Sequence, residues 1–254
     1  MCRTFSLFLL ITYFLIAPAC KSTYIPSSVS YQNISIDAQV NTIDSALVRS
    51  YLPYKEKLEA DMNRVISVCE ADMVKNKPES ALTNLLADLL LEEGMVEARN
   101  QGLDLKPEVS YFNYGGIRTG LNKGNITVGK VFEIMPFENE MVFVQLTGSQ
   151  LKLFLDGVAQ RNGDSVGGVR FKISGEKATQ IIISGQPLDT EKKYWMVTND
   201  YVANGGDEND VLRQRSDYIV PGMKIRDAII RNFEAKQKAG ETIKEKTDGR
   251  ISHE

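Results

Sequence analysis

The chain of 254 residues has one histidine, His253, one residue from its end, one tryptophan and three cysteines. Near-absence of histidine excludes the commonest hydrolytic designs. No serine lies in a nucleophile elbow, and no cysteine has an interior histidine to activate it. Aspartates alone can bind Mg²⁺ or Ca²⁺, but no carboxylates cluster at the spacing such a site needs, so no metal site and no catalytic residue is expected in this chain. Three cysteines do not make a disulfide framework. An excess of positive charge is also missing. Thirty Lys and Arg against 33 Asp and Glu leave a formal charge of −3, with lysines interleaved among glutamates, which argues against polymeric nucleic acid as a partner. What is present is 43% apolar and 25% charged residues, an ordinary globular balance.

The one long apolar run, Phe5 to Ile16, is too short to span a membrane as a helix. It follows Arg3 and precedes Ala17-Pro18-Ala19-Cys20, the order of a signal peptide ending at a small-residue cleavage site. A cysteine at that place resembles the lipobox of bacterial lipoproteins. The resemblance implies removal of residues 1–19, lipidation of Cys20, and an exported chain held to a bacterial membrane, the outer membrane facing the periplasm, by its lipid. The mature chain would then carry −3 − 1 = −4, and Cys69 would have no disulfide partner. Residues 20–42, rich in Ser, Thr, Asn, Gln and Tyr, read as a lipidated tether with at most one strand.

Regular structure is expected from residue 43 onward. Thr42 or Asp44 can cap a helix through Met62, with Pro53 as a kink or boundary. Arg64–Cys69 alternates as a strand, and Ser80 can cap a helix running to Gly94 with leucines at three- and four-residue spacing. Strands are expected at Pro107–Phe112, Val142–Leu146, Val169–Ile173, Ile181–Ser184 and Tyr194–Thr198, and helices at Ser149–Val158 and Gly222–Phe233. Helices laid between strands without regular βαβ alternation predict one mixed α/β domain of the α+β class over residues 43–254.

Two stretches break this pattern in the same way. Asn113-Tyr114-Gly115-Gly116-Ile117-Arg118 and Tyr201-Val202-Ala203-Asn204-Gly205-Gly206-Asp207 each follow a strand directly. Paired glycines permit positive φ and remove the Cβ atoms that would keep a ligand from the backbone, while Arg118 and Asp207 are delivered to defined places. A third stretch, Met135-Pro136-Phe137-Glu138-Asn139-Glu140, leaves Phe137 in a loop between a helical pattern and a strand.

The ordered set Glu79-Ser80-x-x-x-Asn84-Leu85, Asn113-x-Gly-Gly-Ile-Arg118, Pro136-Phe137, Gly167-Gly168, Ala203-Asn-Gly-Gly-Asp207 and Asp248-Gly249-Arg250-Ile251 resembles the C-terminal, substrate-binding domain of the 5'-nucleotidase / UDP-sugar hydrolase family. The resemblance implies that Asn113 and Arg118 meet nucleobase and phosphate, that Phe137 and Tyr201 clamp the base, and that Asp207 holds ribose hydroxyls. The chemistry suits each: bases stack on aromatic faces, guanidinium forks match phosphate oxygens, and a carboxylate accepts hydroxyl protons. Two positions depart from the family pattern. Pro78 stands where an arginine is usual and Thr83 where a glycine is usual, leaving Lys75 or Lys77 as substitute phosphate contacts. Family members of full length hydrolyse phosphate esters with a metallophosphoesterase domain, yet no Asp-x-His or Gly-Asn-His-Asp stretch occurs here. The resemblance therefore implies a recognition half, without cofactor of its own, whose divalent metals lie on a separate metallophosphoesterase chain. The alternative is a free-standing nucleoside- or nucleotide-binding lipoprotein.

Overall fold

The computed structural model describes residues 28, 30–33 and 44–254. The expected signal peptide, Cys20, the Thr42 cap and the strand anticipated before it lie outside the described residues. The chain divides within the helix Ser45–Met62 into a unit of residues 1–49 and a compact body, Ser50–Glu254. In chain order the elements are α1 (Ser45–Met62), β1 (Val65–Cys69), α2 (Ala81–Asn100), β2 (Pro107–Phe112), β3 (Gly124–Thr127), α3 (Val128–Ile134), β4 (Met141–Thr147), α4 (Gly148–Gln160) and β5 (Ser165–Gly167). There follow β6 (Val169–Ser174), β7 (Lys177–Ile183), β8 (Gln186–Pro187), β9 (Lys193–Asn199), α5 (Asp200–Ala203), β10 (Asp217–Ile219), α6 (Ile225–Lys238) and β11 (Ile251–His253). The α+β expectation holds.

The central sheet has the order β10-β4-β9-β2-β5. All its pairings are antiparallel except β2 with β9, which run parallel. Its strands are apolar on both faces because both faces are covered. Met141 and Phe143 of β4, Val197 of β9 and Phe112 of β2 face a cluster with Leu86 and Leu89 of α2 and Phe233 of α6. The alternate residues Val142, Val144, Met196 and Tyr111 face a second cluster with Leu151, Phe154 and Leu155 of α4 and Phe171 and Ile173 of β6. The period of two along each strand thus divides one apolar run between two cores. A second sheet, β11-β6-β7-β8, belongs to the α4 side, and β1 and β3 form a separate antiparallel pair.

Several boundaries differ from the sequence reading. Asp44 caps α1, accepting from the amides of Ala46 and Leu47 at 2.9 and 3.2 Å, and Pro53 lies inside that helix without ending it. Gly94 does not close α2, which continues to Asn100. A Cβ at Gly94 would stand 3.0 Å from a Val197 methyl, so the glycine there lets α2 lie close on β9. The last helix begins at Ile225, because Gly222 has φ +81 and Lys224 is extended, neither of which a helix admits.

The Gly167-Gly168 pair is a packing element. A Cβ on Gly167 would meet Ser110 Oγ at 2.4 Å, and one on Gly168 would meet the Glu108 carbonyl oxygen at 2.1 Å with φ at +71. Overpacking against backbone and the left-handed conformation act together at position 168. Gly168→Ala is expected to destabilise the body by at least about 2 kcal/mol. Gly175→Ala, at φ +60 with nothing within 4 Å, is expected to cost only about 1 kcal/mol. Urea-denaturation midpoints measured at constant m-value check both.

Candidate functional site

Sheet topology brings the three singled-out stretches to one edge. Because β2 and β9 are parallel, with Ser110 opposite Val197, both strands end at the same edge, and the loops after Phe112 and Asn199 lie side by side. Since β4 is antiparallel to β9, with Met141 opposite Asn199, the segment before β4 arrives at that edge as well. A pocket of about 320 Å³ opens there, lined by Asn113, Gly115, Gly116, Arg118, Phe137, Asn139, Tyr201 and Asp207. All five residues singled out from the sequence are in it. A larger groove of about 640 Å³ runs along the end of α2 beside Leu105 and Pro107, its exposed lining mostly apolar, and none of the five residues lies in it. The smaller pocket combines apolar faces with a few aimed polar groups, as ligand sites do.

A relay of hydrogen bonds fixes its polar side chains. Asn199, at the end of β9, caps the short helix α5 by accepting from the Val202 amide at 2.8 Å. Its amide nitrogen must then point the other way, donating to Asn113 Oδ1 at 3.0 Å, and Asn113 in turn donates to Asp207 Oδ2 at 2.7 Å. The Tyr201 hydroxyl donates to Asp207 Oδ1 at 2.9 Å, and that bond to a carboxylate raises the Tyr201 pKa. Asn113 and Asn199 are buried, whereas the rings of Phe137 and Tyr201 remain 40% and 49% exposed. The polar floor is closed and the aromatic walls are open.

The glycines meet their expected role in part: Gly205 has φ of +91, as a paired glycine permits, whereas the others act differently. Gly115 and Gly116 lie in a 3₁₀ turn with ordinary negative φ. A Cβ on Gly116 would reach Asn113 Oδ1 at 2.8 Å, and one on Gly206 would enter the Tyr201 ring at 2.4 Å. These two glycines make room for the side chains of the site, not for a ligand against the backbone. Gly115 alone of the first pair is open, its nearest neighbour Asp207 Oδ2 at 3.5 Å.

Arg118 is exposed. Its backbone amide is tied to the end of α3 through the Ile134 carbonyl at 2.9 Å, one guanidinium nitrogen donates to the Gly115 carbonyl at 3.2 Å, and the guanidinium stands 5.9 Å from the Phe137 ring centre. The Phe137 loop is held from α6. Arg226, buried and stacked 3.8 Å over Phe132, pairs with Glu138, while Lys224 bonds the Glu138 carbonyl at 3.1 Å and Glu140 at 2.9 Å.

The remaining motif pieces lie elsewhere. Lys75 donates to the carbonyls of Tyr114 and Ile117 at 3.1 and 2.6 Å and so supports that loop, Lys77 donates to the Arg161 carbonyl at the end of α4, and neither lines the pocket. Burial lowers the pKa of each, with Arg118 adding to the effect at Lys75. Thr83 completes a capping box with Ser80. Glu79 accepts from Asn84 at 2.9 Å and from the Gly249 amide at 2.7 Å, and buried Arg250 forms a two-pronged pair with Asp88 at 2.7 Å. These motifs stitch the C-terminal segment onto α2. Asn139 and Asn199 were not recognised in the sequence. Asn199 carried a legible signal, an N-cap residue ahead of a helical turn, whereas Asn139 carried none.

Among the described residues no group of three or more His, Cys, Asp or Glu side chains is arranged to hold a metal ion.

The relay generates a stability expectation. Asn199→Ala removes a helix cap and leaves Asn113 Oδ1 buried without its donor. A loss of about 1–3 kcal/mol is expected. Thermal and urea unfolding of the variant check it, and a loss below about 0.5 kcal/mol would mean the relay is not holding the floor together.

Residues 60–214 match the family model described as 5'-nucleotidase, C-terminal domain. The chain is 29% identical over 188 residues to Protein UshA of Yersinia enterocolitica, covering 70% of this chain and 32% of that protein. It is 25% identical over 198 residues to the 5'-nucleotidase of Vibrio vulnificus, covering 75% and 34%. Among solved structures it is similar to a 5'-nucleotidase precursor from Thermus thermophilus, with a TM-score of 0.65, 28% identity, and coverage of 83% of this chain and 43% of that one. The chain spans about a third of the length of the curated relatives it matches. A match over well more than half of its residues, on the sheet and loops that build the pocket, makes this chain a member of the 5'-nucleotidase C-terminal domain family.

Proposed function

We propose that this chain is the nucleotide- or nucleoside-recognition half of a split 5'-nucleotidase acting in nucleotide catabolism, completed by a metallophosphoesterase on another polypeptide. The observation that carries the reading is the convergence of Asn113, Arg118, Phe137, Tyr201 and Asp207 on one pocket of about 320 Å³ at a single sheet edge. In this reading the two half-exposed rings sandwich the base, Asn113 meets its edge, the carboxylate of Asp207 accepts from ribose hydroxyls, and the outward guanidinium of Arg118 meets phosphate. In this reading the divalent metals belong to the partner; among the described residues no group of three or more His, Cys, Asp or Glu is arranged to hold one, and the one histidine of the sequence is His253. The names of the relatives, 5'-nucleotidases among them, support the substrate class.

Calorimetry with adenosine and its monophosphate on the full-length chain tests recognition. Phe137→Ala and Tyr201→Ala are each expected to weaken binding roughly 5- to 150-fold, the equivalent of one lost stack. Full affinity in both variants would return the rings to a structural role. Phosphate release separates the two functional readings. The chain alone, with any added divalent metal, is expected to release none, and a mixture with its cognate metallophosphoesterase is expected to turn over. In that mixture Arg118→Ala raises KM and lowers kcat, because both binding and alignment are lost. Nucleotide binding without any effect on a partner's turnover would favour the free-standing binding lipoprotein instead.

The anchor belongs to the same proposal. With Cys20 acylated, the parent chain fractionates with membranes and Cys20→Ser leaves it soluble outside the cytoplasm, since each buried acyl CH₂ contributes about 0.8 kcal/mol. A soluble parent with a free thiol at Cys20 would reduce residues 1–19 to a plain secretory signal.

A further inference from the structure

Asp207 is held in an unfavourable backbone. Gly205, Asp207 and Glu208 have φ of +91, +52 and +61; the left-handed region is costly for Glu208, and Asp207 is of a type that visits it only occasionally. Such a segment persists only where its surroundings over-determine it. The group that does so here lies beneath the pocket and is absent from its lining. Asn209, only 3% exposed, donates from Nδ2 to the carbonyls of Gly206 and Asp207 at 2.8 and 3.2 Å. Its Oδ1 accepts from Arg161 Nη2 at 3.1 Å, which fixes the direction of the amide.

Arg161 ties this arrangement to the other loop. The same Nη2 reaches the Tyr111 hydroxyl at 3.3 Å, that hydroxyl donates to Asp164 Oδ2 at 2.7 Å, and Asp164 Oδ1 accepts from the Tyr114 amide at 2.7 Å. A continuous hydrogen-bonded path therefore runs under the pocket from the Asp207 carbonyl to the Tyr114 amide. Above it, Asn113 and Tyr201 hold the Asp207 carboxylate. Asp207 is gripped by its backbone from below and by its side chain from above, and only the lower grip is independent of residues facing the ligand.

We infer that Asn209, oriented by Arg161, is a positioning residue that sets the Asp207 carboxylate for the sugar hydroxyls of a bound nucleoside. The inference rests on the nucleoside reading proposed above. It assigns Asn209 a selective effect: loss of its amide should affect only the contact that Asp207 makes, leaving base stacking on Phe137 and Tyr201 intact.

The test compares adenosine with 2′,3′-dideoxyadenosine, which keeps the base and lacks both hydroxyls, by calorimetry on the full-length chain. The variants are Asp207→Asn, Asn209→Ala, Asn209→Asp and the double variant Asp207→Asn with Asn209→Ala. Asn209→Asp keeps an acceptor for Arg161 but loses the two donors, and serves if the alanine variant fails to fold. Either Asn209 variant is expected to weaken adenosine about 10-fold or more, the range of a bond to a charged group, and dideoxyadenosine less than about twofold. The double variant is expected to bind adenosine no more weakly than Asp207→Asn alone. Hydrogen exchange is expected to quicken at residues 205–208 while the sheet amides stay protected. Parallel losses for both nucleosides, or additive losses in the double variant, would overturn the positioning role and leave the nucleoside reading standing. A parent chain that binds neither nucleoside would overturn both.

Discussion

The site depends on one parallel pairing in an otherwise antiparallel sheet. Had β2 and β9 run antiparallel, the loops after Phe112 and Asn199 would sit at opposite ends of strands six and seven residues long. At about 3.3 Å per residue that is a separation of roughly 20 Å, and Asn113 could not reach Asp207. Parallel pairing carries a topological requirement, a long crossover between the two strands. Here the crossover holds β3 to β8, and β4 is its useful part: it returns antiparallel to β9, so its leading segment brings Phe137 to the edge where the two loops end. The start of β5, antiparallel to β2 with Ser165 opposite Phe112, delivers Asp164 there too. Wall, floor and support of the pocket all follow from strand direction.

Polar groups so placed need a reason to remain in one arrangement, and the relay from Val202 through Asn199 and Asn113 to Asp207 supplies it. An asparagine amide can turn over and exchange its donor and acceptor ends. A backbone N–H cannot. Because the Val202 amide can only donate, Asn199 has one satisfied orientation, Asn113 inherits it, and Asp207 meets a donor. A fully connected network of this kind specifies a single geometry.

How much of this was legible in the sequence depended on the range of the interaction. Alternation in Val142–Leu146 and leucine spacing after Ser80 are local, and they located β4 and the start of α2. The strands β3, β5, β10 and β11, three or four residues long, are shorter than the window in which alternation can be counted. Gly94 illustrates a different failure. By propensity it ends a helix, but its missing Cβ matches Val197 on a strand far along the chain, and only the fold shows that match. The five pocket residues were legible through the ordered motif set that resembles the family: Arg118 and Asp207 follow glycine pairs and Phe137 follows a proline, whereas Asn113 and Tyr201 were singled out by the resemblance. Asn139, Asn209, Arg161 and Asp164 were not part of that set, and their partners are brought together by the fold.

The glycine pairs also explain why the pocket can be both rigid and open. Gly116 admits the Asn113 amide and Gly206 admits the Tyr201 ring, each by lacking one carbon. The room is given to the side chains that form the floor and one wall, so those groups pack against their own backbone and need no help from a ligand to hold their positions. Phe137 reaches the same condition from the other side, since the pairing of Arg226 with Glu138 and the bonds of Lys224 fasten its loop to α6. A binding site whose walls are ordered before binding spends little of its interaction energy on ordering them. If the chain is the recognition half proposed above, that rigidity is the relevant property: alignment at a distant reacting centre is only as good as the hold on the part of the substrate that does not react.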